Sequence, residues 1–121
     1  MTHRALVVDD IPYNRELARV ALENVGLSVE EAEDGQVALD FLDRDGYDLL
    51  VLDLQMPEVD GLTVLNKIRT MPKHEKMLII LLTAFTHHAN GYQSDVDYVL
   101  SKPIDIQDFA KLIRRLFPPS D

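Results

Sequence analysis

Leu49-Leu50-Val51-Leu52, with Asp53 directly after it, is the most hydrophobic short run of the chain. Four apolar residues without polar alternation are too few for a helix, and they bury both faces of an extended segment, as a central β-strand does. Outward from it lie similar runs, Ala5-Leu6-Val7-Val8, Leu78-Ile79-Ile80-Leu81-Leu82 and Tyr98-Val99-Leu100, and residues 27–32 read as a further strand. Between them apolar residues recur at helical spacing. Pro12 suits the first turn of a helix whose inner face is Leu17, Val20, Ala21 and Val25, and Gly26 supplies its left-handed stop. Asp34-Gly35 turns the chain into a second helix with Val37, Ala38, Phe41 and Leu42 inward, ending near Gly46. A loop with Pro57 and Gly61 leads to a third helix, on Leu62, Leu65 and Ile68, which Pro72 ends. Asp105 caps a last helix carrying Phe109, Leu112, Ile113 and Leu116 on one face, closed by Pro118-Pro119. Such alternation specifies an α/β fold: a doubly wound five-stranded parallel sheet with helices on both faces. Residues 85–97 are the exception, because they show no helical stripe and include Gly91; the fourth helix expected there is short, distorted or mobile.

At 121 residues the chain is read as one domain, 1–121, with no helix-turn-helix, basic patch or second core to serve as an output domain. Pro118-Pro119-Ser120 resembles the start of a linker, so a stand-alone protein and a piece of a larger one both stay open. Twenty-one acids against twelve Lys and Arg give a net charge of -9, which disfavours nucleic acid and anionic membranes and suits cations or basic protein surfaces. The absence of cysteine excludes disulfides, thiolate zinc sites and thiol catalysis. No apolar run approaches the length of a spanning helix, and the start lacks a signal peptide's apolar stretch, so an intracellular protein is expected.

In open parallel sheets, ligands bind outside the carboxyl ends of the strands. The first strand ends in Asp9-Asp10, the third in Asp53 and the fourth in Thr83-Ala84, while Ser101-Lys102-Pro103 follows the fifth. Three carboxylates, a hydroxyl and an ammonium therefore meet at one edge. Crowded carboxylates repel unless a cation binds, and hard oxygen ligands suit Mg2+, with Mn2+ a substitute. The lysine and hydroxyl supply donors for a phosphoryl group. One carboxylate is then the nucleophile of an aspartyl phosphate, best assigned to Asp53, with Asp9 and Asp10 better placed to hold the metal.

The segments Val7-Val8-Asp9-Asp10, Asp53-Leu54-Gln55-Met56-Pro57-Glu58-Val59-Asp60-Gly61, Leu82-Thr83-Ala84 and Leu100-Ser101-Lys102-Pro103-Ile104, in that order, resemble the receiver domain of two-component response regulators. The resemblance runs along the whole chain. It implies the strand order 2-1-3-4-5. It implies Asp53 as phosphoacceptor, and Mg2+ held by the Asp10 and Asp53 side chains and the Gln55 carbonyl oxygen, with Asp9 acting mostly through water. Lys102 would contact Asp53 and the phosphoryl oxygens. Thr83, with Ala84 beside it in the phosphoryl-binding switch, would swing its hydroxyl inward, and the Lys102-Pro103 bond would be cis. The implied donor is a phosphohistidine on a sensor histidine kinase or histidine phosphotransfer protein. Such a receiver catalyses only its own phosphorylation and dephosphorylation, and signals in the cytoplasm through changed contacts with a downstream protein, as monomer or dimer.

Two departures bear on switching. Many receivers carry an aromatic residue three positions before the lysine, where this chain has Val99; Tyr98, one residue earlier, points to the opposite face of the strand. Thr83 and Lys102 are nineteen residues apart, fewer than is usual, and the shortfall falls in the segment without a helical stripe. An unusual partner surface is expected there. Gln55 and Phe85 lie two residues beyond the acceptor and the threonine, and a bulky Phe85 predicts slow dephosphorylation. Other features have plainer readings: His87-His88 as loop, Tyr13 and Asn14 as a border of the acid site or equally as the solvated start of a helix, Arg114 and Arg115 as charges near a helix C-terminus. Two further function classes compete. A phosphorylation-independent receiver-like interaction module has no need of intact Asp53, Asp9-Asp10, Thr83 and Lys102. A phosphohydrolase needs a second acid–base carboxylate near the nucleophile, where this chain has Gln55.

Overall fold

The computed structural model of the chain describes residues 2–54, 61–84 and 96–118. Five strands, β1 (Arg4–Val8), β2 (Ser28–Ala32), β3 (Leu49–Asp53), β4 (Leu78–Thr83) and β5 (Tyr98–Ser101), form one parallel sheet in the order β2-β1-β3-β4-β5. The described helices are α1 (Pro12–Val25), α2 (Gly35–Arg44), α3 (Gly61–Ile68) and α4 (Ile106–Leu116), with a 3-10 turn at Pro72–His74. The fourth helix expected between Thr83 and Tyr98 falls on residues 85–95, outside the described residues, as does His87-His88.

Strand periodicity sorts the sheet's side chains into two cores. Leu50 and Leu52 join Leu6, Val8 and Leu81 under α2 and α3, whose Ala38, Leu42, Val64 and Leu65 are buried against them. Leu49 and Val51 join Ala5, Val7, Ile80 and Leu82 under α1 and α4, against Ala18, Leu22, Phe109 and Ile113. Neighbouring residues of β3 thus serve opposite layers, which is why the strand carries no polar residue until Asp53. Each such leucine stabilises the fold by about 2 kcal/mol through removal from water.

Helix ends follow the local chemistry. Pro12 opens α1, and Gly26, at φ 106°, closes it with its N–H on the Glu23 carbonyl oxygen at 3.0 Å. Asp34 and Asp105 cap α2 and α4, their carboxylates accepting from the N–H groups of Val37 at 2.9 Å and Asp108 at 3.0 Å. Among the described residues, no helix is long and apolar enough to cross a membrane.

Candidate functional site

Chain order reverses between β1 and β3: from β1 the sheet grows one way to β2 and the other way to β3, β4 and β5. Ligands of open parallel sheets bind at that crevice. Asp9 and Asp10 follow β1 and Asp53 ends β3, so the reversal point itself brings the carboxylates together. Ligand oxygens of Asp9, Asp10 and Asp53 all lie within 4.8 Å of one another. Asp9 and Asp53 are buried, whereas Asp10 stands nearer solvent.

Lys102 reaches this cluster from the end of β5. Its Nζ lies 3.0 Å from Asp53 Oδ2 and 3.2 Å from Asp9 Oδ2. Burial alone would lower the pKa of the ammonium; the hydrogen bond and charge of Asp53, joined by the charge of Asp9, outweigh it and hold Lys102 above the usual lysine range. Backbone pairing fixes the approach, because the Lys102 N–H donates to the Thr83 carbonyl oxygen at 2.9 Å and Leu54 N–H to that of Leu82 at 2.9 Å. Thr83 ends β4 fully buried, with Ala84 exposed beyond it. The Lys102-Pro103 bond is cis, as the sequence resemblance implies.

Asp9 is held on every side. Its N–H donates to the Ala32 carbonyl oxygen at 3.2 Å, its Oδ1 accepts from Ile11 N–H at 2.9 Å, and its Oδ2 faces Lys102. Both of its carboxylate oxygens are therefore engaged within the protein. Hard carboxylate oxygens packed this closely, one of them near water, fit Mg2+, which binds through one or two carboxylates and keeps several waters.

The structure thus brings Asp9, Asp10, Asp53 and Lys102 into one cluster and places Thr83 and Ala84 at the neighbouring strand end, while Gln55 and Phe85 lie outside the described residues. Val99 packs toward the core under α2 and α3, whereas Tyr98 is 38% exposed, so the two differ in facing as alternation requires. Two further contributors join them: Arg15, which no sequence motif marks, and Gly61, which ends the segment 53–61 that resembles receivers. Arg15 Nη1 donates to the Asp9 carbonyl oxygen at 2.8 Å. A Cβ on Gly61 would stand 2.5 Å from the Asp53 carbonyl oxygen and 2.8 Å from Leu54 Cα, so only glycine lets α3 begin this close to the end of β3. The one signal for Arg15 is its position four residues after Ile11, on the turn above the acid pair.

Comparison with known proteins gives the same picture. The response regulator receiver domain family matches residues 5–114. An uncharacterized 14.6 kDa protein of Leptolyngbya boryana is 37% identical over 120 residues, covering 94% of this chain and 92% of that one. The transcriptional regulatory protein TrcR of Mycobacterium tuberculosis is 34% identical across 93% of this chain, which spans only 44% of TrcR's length. Among solved structures, the response regulator TrrA of Thermotoga maritima, in complex with Mg(2+)-BeF, is 35% identical with a TM-score of 0.83, covering 97% of this chain and 100% of that one. A CheY-like receiver domain of Methylobacillus flagellatus, 25% identical, has a TM-score of 0.86 over 96% of this chain and 99% of its own.

Proposed function

The chain belongs to the response regulator receiver domain family of two-component systems, and from that premise we propose that it accepts a phosphoryl group on Asp53 in a Mg2+-dependent reaction. The observation that carries this reading is Lys102 Nζ bridging Asp53 and Asp9 at the reversal point, with the Asp10 carboxylate beside them. The donor is a phosphohistidine on a sensor histidine kinase or histidine phosphotransfer protein. A carboxylate oxygen of Asp53 forms the new bond to phosphorus as the bond from phosphorus to the donor imidazole breaks. The imidazole nitrogen leaves with the electron pair and takes a proton from water. Asp53 is ready for this role because burial strips its carboxylate of hydration, while the Lys102 ammonium, 3.0 Å away, holds it in place.

The Asp10 and Asp53 carboxylates and, as the resemblance implies, the Gln55 carbonyl oxygen would hold Mg2+, and Asp9, with both oxygens already engaged, would act through water. When bound, the ion neutralises charge on the transferring phosphoryl oxygens. Lys102 contributes a second positive charge, and the Thr83 hydroxyl donates to a phosphoryl oxygen once the group is on Asp53. The new dianion at the ends of β3 and β4 then changes the contacts the chain offers to a downstream protein. The chain spans about half the length of the transcriptional regulators it matches, 44% of TrcR and 50% of RpaA from Synechocystis.

Beryllium fluoride, a tetrahedral mimic of a phosphoryl group on a carboxylate, tests the reading directly. With Mg2+ present, the amide resonances of Asp53, Thr83, Ala84 and Lys102 are expected to move together, and Asp53→Asn to abolish the change. A folded protein whose resonances stay put, or shift equally in Asp53→Asn, contradicts it.

A further inference from the structure

We propose that Arg15 is a positioning residue for the acid pair: its guanidinium ties the peptide between Asp9 and Asp10 to Glu31 on the neighbouring strand, and so sets where both carboxylates point. Arg15 lies in the first turn of α1, its backbone N–H donating to the Ile11 carbonyl oxygen at 3.0 Å. From there the side chain folds back over the loop. Nη1 donates to the Asp9 carbonyl oxygen at 2.8 Å, and Nε donates to Glu31 Oε1 at 3.1 Å. The Arg15 side chain is only 16% exposed, so water is a poor substitute for either contact.

The bonded carbonyl belongs to the peptide whose N–H is that of Asp10. Fixing that peptide plane therefore fixes the backbone of both members of the pair at once. The Asp9 N–H is held by the Ala32 carbonyl and the Ile11 N–H by Asp9 Oδ1, which leaves the Asp9 carbonyl as the remaining anchor of the turn. Glu31 is steadied in turn, since its Oε2 is paired with Arg19 Nε at 3.0 Å. Arg15 touches no carboxylate of the cluster. It acts through the backbone of one of them, as groups that orient metal ligands commonly do.

This inference rests on the reading that the acid cluster holds the divalent cation, and the sign of the effect separates positioning from charge. Arg15 is a cation near a cation site, so by Coulomb's law alone its removal strengthens Mg2+ binding, most at low salt. Loss of positioning weakens it. The test compares the whole chain with Arg15→Met, Arg15→Lys and Arg19→Met, measuring Mg2+ affinity by calorimetry and amide hydrogen exchange of Asp10 and Ile11 in the metal-free protein. Arg15→Met is expected to weaken Mg2+ binding about tenfold and to speed Ile11 exchange. Arg15→Lys should recover part of both, and Arg19→Met, which loosens only Glu31, should lose less than Arg15→Met. Unchanged or tighter Mg2+ binding in a folded Arg15→Met, or equal weakening in Arg19→Met, overturns the proposal. Should Arg15→Met not fold, Glu31→Gln, which keeps an acceptor but loses the charge, should show the same losses in smaller measure; wild-type behaviour there overturns it equally. A wild type that binds no Mg2+ refutes the cation-site reading alone. The exchange of Ile11 in metal-free protein then decides for or against Arg15 by itself.

Discussion

Lys102 is the residue on which the site's electrostatics turn. It is the cation between two buried carboxylates, and Lys102→Met leaves both without it. The expected cost is about 3 kcal/mol of stability, at the low end for a broken buried pair, because the lysine side chain keeps 17% exposure. Its sign against pH follows from the raised pKa: the contribution is complete below the unfolded lysine value of about 10.4 and disappears only as pH rises through the higher folded value. Urea unfolding of wild type and Lys102→Met should therefore show a constant gap from neutral pH to about 10, closing at more alkaline pH. Added Mg2+ should narrow the gap, since a cation that binds the carboxylates Lys102 no longer neutralises stabilises the variant more than the wild type. A gap that widens with Mg2+ contradicts this account. These residues were legible in the sequence because a charged group at the end of an otherwise apolar strand stands out. Arg15 was not, because its contact is with a backbone carbonyl, and no residue type marks a carbonyl that needs a donor.

At the scale of elements, short runs located every described strand within a residue or two, and Asp caps together with Pro and Gly located the helices. Where bounds differ, hydrogen bonds explain it. Leu27, read from its apolarity as the start of the second strand, instead donates its N–H to the Leu22 carbonyl oxygen at 3.1 Å as part of the helix stop, so β2 begins at Ser28. Pro72, read only as a terminator, also opens the 3-10 turn that buries His74, whose Nε2 donates to the Leu42 carbonyl oxygen at 2.7 Å. Gly61 joins element to site. Gly61→Ala must push α3 away from Asp53 and Leu54, which are backbone neighbours that cannot yield. The expected loss is about 1–3 kcal/mol, with slower phosphorylation because the acceptor strand moves. Asp34→Ala serves as the comparison: loss of the α2 cap should cost about 1 kcal/mol and leave phosphorylation unchanged. Thermal unfolding and adduct formation, measured on both, check the distinction; equal phosphorylation in Gly61→Ala and wild type contradicts it.

For the whole molecule, the sheet separates two kinds of ionic work. At the amino end of the strands, Arg4 stacks on Tyr47 at 4.9 Å, pairs with Glu30 at 2.5 Å and donates its backbone N–H to Asp48 at 2.8 Å, fastening β1, β2 and the start of β3. At the carboxyl end the acids converge without enough cations, in a chain of net charge -9. One end uses its charges on structure, and the other gathers its acids around Lys102. The central claim is that Asp53, at that second end, takes a phosphoryl group with the help of Mg2+. Intact mass after incubation with acetyl phosphate and Mg2+ tests it, beside Asp53→Asn and a sample with excess chelator. The account predicts a single phosphoryl adduct in the wild type alone, absent from both controls. An adduct of equal yield in Asp53→Asn or under chelator would contradict it.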